Sequence, residues 1–158
     1  MIAASLKAIF TAVTPSPLLA VCLVTIVIAQ GTKIAIYYFR DQKISWPLIL
    51  STGGMPSSHA ATVTSLTVGI LLFEGPTTLF VISFVFAGVV IRDALGVRWL
   101  AGQQSIVINK ILRELHKEGR MNVGYLKELL GHTPLQVYAG CALGVLVAAL
   151  TYGVWAVW

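Results

Sequence analysis

The chain has 158 residues, of which 57% are hydrophobic and only 11% carry a charge. Such a composition excludes an ordinary soluble domain, in which about a quarter of the residues are charged. A net charge of +5 is compatible with nucleic-acid binding, but no basic stripe is interleaved with aromatic residues. We therefore expect no nucleic-acid partner, and attribute the charge to orientation in the membrane and attraction to anionic lipid.

Four stretches without charged residues dominate the sequence, and they cover residues 8–32, 44–73, 75–91 and 133–158. Their lengths are 25, 30, 17 and 26 residues, and a membrane-spanning helix needs about 20. The pattern predicts one all-α, membrane-embedded domain over residues 1–158. About four spans are expected, together with re-entrant or interfacial and amphipathic helices.

The first span is expected over residues 18–39, behind a short amphipathic segment, residues 1–14, that we place at the membrane surface. Its second half carries four polar residues with spacings of three, four and three, which puts them on one helical stripe. They are Gln30, Lys33, Tyr37 and Arg40. Cations on such a stripe indicate a face toward protein, water or an anion. The alternative is that Lys33 and Arg40 extend to the headgroups.

A glycine-rich turn, Gly53–His59, follows residues 44–52, which are too short to cross and are read as re-entrant or interfacial. Ser57 or Ser58 is suited to cap the next helix. A helix N-terminus favours an anion such as phosphate, and His59 in its first turn can exchange a proton near neutral pH. The alternative is a capped turn with an incidental histidine.

The second and third spans are expected over residues 58–73 and 78–95, with a tight turn at residues 74–77. Residues 103–130 change character to an amphipathic helix and a loop, and the helix, 103–118, either lies along the membrane or covers the site. His116 is assigned to its solvated face.

The last span is expected over residues 135–157, after a second glycine–histidine turn at 131–134. Gly140 and Gly144 are spaced for close helix packing and are compatible with a homodimer. Cys22 and Cys141 each lie in an apolar run, so we assign neither a disulfide nor a metal site.

The distribution of basic residues predicts the orientation. Four spans place ten Lys and Arg residues on one face and only Lys7 on the other. The ten are Lys33, Arg40, Lys43, Arg92, Arg98, Lys110, Arg113, Lys117, Arg120 and Lys127. By the positive-inside rule this face is cytoplasmic, in an inner or plasma membrane.

Three strings resemble the type-2 phosphatidic acid phosphatase superfamily, which also contains the vanadium haloperoxidases. They are T-G-G-M-P-S-S-H at 52–59, D-A-L-G-V-R at 93–98 and K-E-L-L-G-H-T-P at 127–134. The match is closest to the divergent bacterial and plant branch and covers nearly the whole chain from residue 32 onward.

The resemblance implies roles for particular residues. His132 stands where the family has its nucleophile, and His59 stands where the family protonates the leaving oxygen. The implied phosphate ligands are Lys33, Arg40, Ser57 and Ser58, completed by Arg98 or Arg92.

Two departures from the family pattern affect this assignment. Leu126 replaces an arginine six residues before His132, and Gln136 replaces the aspartate four residues after it. The residue that orients His132 is left open among Asp93, Glu128 and the Gln136 amide oxygen.

The function expected from the resemblance is hydrolysis of a lipid phosphate monoester or diphosphate through a phosphohistidine. Phospholipids or prenyl phosphates are the expected substrates. No acidic cluster that would hold magnesium is seen in the sequence, so no metal or other cofactor is expected. The alternative is a non-catalytic binder or translocator of phosphorylated lipid that retains the phosphate pocket.

Overall fold

The computed structural model describes residues 16–41, 54–117, 124–126 and 132–156, without the side chains at positions 40, 41, 97 and 98. The described residues form five α-helices, which are α1 (Pro17–Asp41), α2 (Ser58–Glu74), α3 (Thr78–Leu95), α4 (Val97–Lys117) and α5 (Pro134–Ala156). The all-α prediction is confirmed. The predictions for residues 1–14, 44–52 and 127–130 lie outside the described residues.

Three stretches of the described chain are long and apolar enough to cross a membrane: Pro17–Phe39, Thr78–Lys117 and Pro134–Ala156. The middle stretch contains both α3 and α4. The predicted second span, α2, has 17 residues, or about 25 Å at a rise of about 1.5 Å per residue. That length is at the lower limit for a span, and the architecture is a membrane helical bundle.

Helix α2 lies at the centre of the bundle and packs against α1, α3 and α5. The contact with α5 is close because two glycines face it. A Cβ atom on Gly140 would lie 2.5 Å from the Ser57 carbonyl oxygen, and one on Gly144 would overlap the Ala61 carbonyl oxygen. The predicted close packing at these glycines is confirmed, and the partner is α2 of the same chain. The homodimer itself stays a prediction.

The contacts along α2 show how its neighbours run. The start of α1 meets the second half of α2, because a Cβ atom on Gly69 would lie 3.3 Å from Leu18 Cδ2. Helix α3 also runs back along α2, and the Thr67 hydroxyl donates to the Ser83 carbonyl oxygen at 3.1 Å. Thus the end of α1, the start of α2, the end of α3 and the start of α5 meet at one end of the bundle, which we call the site end.

Helix α4 begins at Val97, six residues earlier than predicted, because only Gly96 interrupts the chain after α3. Several of its apolar side chains are exposed, including Val107 at 58% and Ile111 at 54%, whereas Asn109 is 3% exposed. The buried side of α4 therefore includes a polar residue, and part of its apolar surface faces outward. An apolar outer face is what a helix lying along a membrane presents to lipid.

Residues 124–126 fold back onto α4 through two matched hydrogen bonds. The Asn109 amide donates to the Leu126 carbonyl oxygen at 2.8 Å, and its oxygen accepts from the Leu126 N–H at 2.8 Å. Beside them, the rings of His116 and Tyr125 lie 5.5 Å apart. His116, which was predicted on the solvated face, is half-buried, because its ring packs against Tyr125.

Candidate active site

The first turn of α2 is organised by Ser57, which is 0% exposed. Its hydroxyl caps the helix by accepting from the Ala60 N–H at 3.4 Å, so the predicted cap is found at Ser57. Its own N–H donates to the Gln136 carbonyl oxygen at 2.9 Å. Ser58 is the first residue of α2 and is half-buried. The glycine turn is therefore tied directly to the first turn of α5.

The start of α5 is a capping box, in which the cap and the third helical residue satisfy each other's backbone N–H groups. The Gln136 N–H donates to Thr133 Oγ1 at 3.4 Å, and the Thr133 N–H donates to Gln136 Oε1 at 3.1 Å. Because a backbone N–H can only donate, the Gln136 amide oxygen has to face it. The orientation of this amide follows from the cap.

The same amide oxygen lies 3.3 Å from Nδ1 of His132. An oxygen can only accept, so a hydrogen bond here requires the proton on Nδ1, which leaves the lone pair of a neutral ring on Nε2. Among the candidates for orienting this ring, Gln136 is placed at hydrogen-bond distance from it. At 3.3 Å the contact is slightly longer than a typical N–H···O hydrogen bond.

The two histidines of the glycine turns come together at the site end. The ring centroids of His59 and His132 are 6.4 Å apart, with the ring planes at 59°. Two imidazoles at this separation are near enough to contact the same small anion. His132 is 4% exposed, whereas His59 is exposed.

Lys33 lies under the glycine turn and is 1% exposed. Its Cγ atom and the Tyr37 hydroxyl each lie 3.3 Å from where a Cβ atom on Gly54 would be. The alternative that Lys33 extends to the headgroups is wrong, because the turn covers the side chain. A buried ammonium requires paired or hydrogen-bonded surroundings, and an anion seated above the turn would add to them.

The remaining predicted ligands are only partly described. Arg92 is exposed and Asp93 half-buried in the last turn of α3, next to Ala94, which packs in a cluster with Ala60 and Val137 at the site end. The side chains of Arg40 and Arg98, and all of Glu128, lie outside the described part of the structure.

Two residues at the site received no role from the sequence. Tyr37 was placed on the polar stripe of α1, but its contact with Gly54 depends on how the turn folds over that helix. Thr133 could have been found, because T-x-x-Q before an apolar run is the sequence pattern of a capping box.

These features define a helical membrane protein with two histidines and a buried lysine gathered at one end of its bundle. Among known proteins, the model of the Divergent PAP2 family matches residues 14–147. A similar protein from Bacillus subtilis (strain 168), named uncharacterized membrane protein YuiD, is 40% identical in an alignment 146 residues long. The alignment covers 85% of this chain and 92% of that protein. No solved structure matches. The chain belongs to the divergent PAP2 family, so the resemblance drawn from the three strings is confirmed.

Proposed function

We propose that this protein is a membrane phosphatase that hydrolyses the phosphate monoester or diphosphate of a lipid through a metal-independent phosphohistidine. The observation that carries the proposal is the 6.4 Å separation of the His59 and His132 rings, which are 73 positions apart in the chain. Family membership supports the same chemistry.

In the first step, Nε2 of His132 attacks phosphorus with its lone pair while the bond from phosphorus to the lipid oxygen breaks. His59 gives its proton to that oxygen. The leaving group is the lipid alcohol when the substrate is a monoester, and the lipid monophosphate when it is a diphosphate. The tautomer set by Gln136 supports this assignment, since the proton on Nδ1 leaves the lone pair of the neutral ring on Nε2.

In the second step, water attacks phosphorus and the bond between phosphorus and Nε2 of His132 breaks. Its electron pair returns to Nε2, and inorganic phosphate leaves. His59, now neutral, accepts the proton of the water and is restored for the next cycle. Its exposure supports this role, because it allows proton exchange with solvent.

The transferring phosphoryl group needs several fixed donors and cations, because most of the catalysis lies in positioning and charge stabilisation. Lys33 is the best-supported cation, since the glycine turn holds it buried at the site end. The hydroxyls of Ser57 and Ser58 and the guanidinium groups of Arg40, Arg92 and Arg98 are proposed to complete the set.

Phosphate release by the purified protein tests the proposal, with a panel of phosphatidate, phosphatidylglycerophosphate and prenyl phosphates in detergent micelles. We expect release from at least one lipid, and its loss in His132→Ala and in His59→Ala. His116→Ala is the matched control, because this third histidine packs against Tyr125 and is expected to leave turnover intact. Full activity in either site variant would refute the assigned roles.

A non-catalytic binder or translocator of phosphorylated lipid is the second candidate, and Gln136 is the observation that favours it. The amide orients His132 but supplies no negative charge to a phosphorylated imidazole. Lipid binding that depends on Lys33, without phosphate release from any panel member, is the result expected of a binder. Trapping an acid-labile phosphohistidine at position 132 would exclude it.

We place the site end on the cytoplasmic face, on the strength of the ten-to-one distribution of Lys and Arg. Single cysteines at Thr133, at the site end, and at Thr77, in the turn at the opposite end, test this placement with both native cysteines replaced by alanine. In intact cells a membrane-impermeant maleimide should label position 77 and leave position 133 unlabelled. The opposite pattern would reverse the orientation.

A further inference from the structure

An apolar groove with a volume of about 220 Å³ opens between α1 and α5 at the site end. Three parts of the chain form its walls, and the residues are Thr32, Ile36, Met55, Pro56, Ala139 and Leu143. The one hydroxyl in this set, on Thr32, donates to the Ile28 carbonyl oxygen of its own helix at 2.8 Å. The walls therefore offer hydrocarbon surface to whatever lies between them.

Each of the three walls of the groove includes a residue close in sequence to a residue of the site. In α1, Thr32 directly precedes the buried Lys33. In the glycine turn, Pro56 directly precedes Ser57. In α5, Ala139 lies one turn after Gln136, which holds His132. The groove and the two histidines therefore lie at the same end of the bundle.

We infer that the groove holds the proximal part of one hydrocarbon chain of the phosphorylated lipid, an inference that rests on the proposed function. Both flanking helices are long and apolar enough to span a membrane, so the groove opens toward acyl chains. An apolar cavity of about 150 Å³ accommodates benzene, so this groove takes several methylene groups of a single chain. The phosphate site thereby selects phosphates that carry a long chain.

The experiment compares kcat/KM for a long-chain lipid phosphate with kcat/KM for a short-chain, water-soluble phosphate monoester. Ala139→Trp fills the groove, and we expect the ratio of long-chain to short-chain kcat/KM to fall about tenfold or more, the scale on which a hydrophobic pocket discriminates. Ala149→Trp makes the same change at an exposed position of the same helix that does not line the groove. It should leave the ratio unaltered, and a ratio unchanged in both variants overturns the inference.

A second measurement needs no turnover. A phosphatidate analogue with a diazirine near the start of one acyl chain is photolysed in phosphatidylcholine vesicles, and the labelled residues are mapped. We expect labelling at Ile36 and Met55 that Ala139→Trp abolishes, whereas a phosphatidylcholine probe should label lipid-facing residues evenly. Even labelling by both probes overturns the inference.

The outcomes separate this inference from the proposed function. Groove-specific labelling without phosphate release from any substrate would support the hydrocarbon-chain site and refute the phosphatase activity. Phosphate release with an unaltered ratio of long-chain to short-chain kcat/KM in Ala139→Trp would support the phosphatase activity and refute the hydrocarbon-chain site. Rapid disulfide formation between two copies of Leu143→Cys would show that a second copy of this chain fills the groove, which also overturns the inference.

Discussion

Gln136 connects helix capping to the proposed chemistry, so its replacement tests the reasoning most directly. The Gln136 amide oxygen accepts from the Thr133 N–H at 3.1 Å and lies 3.3 Å from His132 Nδ1. Gln136→Glu retains an oxygen for both contacts, because glutamate is equally suited to the third position of a capping box. It adds a negative charge beside the imidazole that becomes positive during phosphoryl transfer.

The expected gain follows from that separation. Two unit charges 3.3 Å apart interact by about 1 kcal/mol in bulk water and by about 5 kcal/mol at the effective dielectric typical of a protein surface. Since about 1.4 kcal/mol changes a rate tenfold, the bulk-water value alone predicts that Gln136→Glu raises kcat roughly five- to tenfold, and we expect a gain of at least that size. The acidic limb of its pH–rate profile should move to higher pH, because the carboxylate stabilises the protonated, non-nucleophilic imidazole.

Gln136→Leu is the opposite test, because it removes the contact altogether. A hydrogen bond to a charged group contributes about 1.5–3 kcal/mol, so kcat should fall about 10- to 100-fold. Thr133→Ala serves as the control, because it removes the other half of the capping box and leaves the Gln136 amide beside His132. It should lower thermal stability without moving the pH profile. Equal activity in the wild type, Gln136→Glu and Gln136→Leu would refute the orienting role.

Three further predictions concern the packing that supports the site. Gly144→Ala forces a methyl group into α2 and should cost about 1–3 kcal/mol of stability, measured by thermal unfolding in detergent. Gly153→Ala on the same helix is the control, because its methyl group meets nothing within 4 Å and should not destabilise the protein. Gly54 has a φ of +90°, and a Cβ atom there would crowd the side chains of Lys33 and Tyr37, so Gly54→Ala should lower both stability and lipid-phosphate turnover. Gly75 has a φ of +78° in open space, so Gly75→Ala should cost only the backbone strain of about 1–3 kcal/mol of stability. Asn109→Leu loses two 2.8 Å hydrogen bonds to Leu126, so hydrogen exchange should accelerate at the Leu126 backbone amide. Unchanged protection of that amide would contradict the packing of residues 124–126 against α4.

The elements that could be predicted from the sequence are those set by local physics. The length of each charge-free stretch predicts a membrane helix, because lipid excludes unsatisfied backbone groups and charges. The cap at Ser57, the turn before α3 and the hydroxyl–proline start of α5 each depend on a few neighbouring residues. The three strings identified the family for the same reason, since short motifs stay readable without knowledge of the fold.

Helix α4 shows where sequence patterning was insufficient. Its apolar and charged residues on opposite faces predicted an amphipathic helix, but this pattern does not say what either face contacts. The structure buries Asn109 against Leu126 and leaves Val107 and Ile111 exposed. In a membrane protein an apolar face can contact lipid, so apolar side chains are not necessarily buried inside the protein.

The sequence alone determined the membrane class, the family and the residue types available for phosphate chemistry, because spacing, composition and helix-start signals are carried within a few turns of chain. Only the tertiary structure decided that the imidazoles of His59 and His132 lie 6.4 Å apart, that Lys33 is covered rather than exposed, and that an apolar groove opens between α1 and α5 at the same end of the bundle. Those relations join residues on different helices. They depend on how closely α2 approaches α1 and α5, which the glycines at their contacts permit.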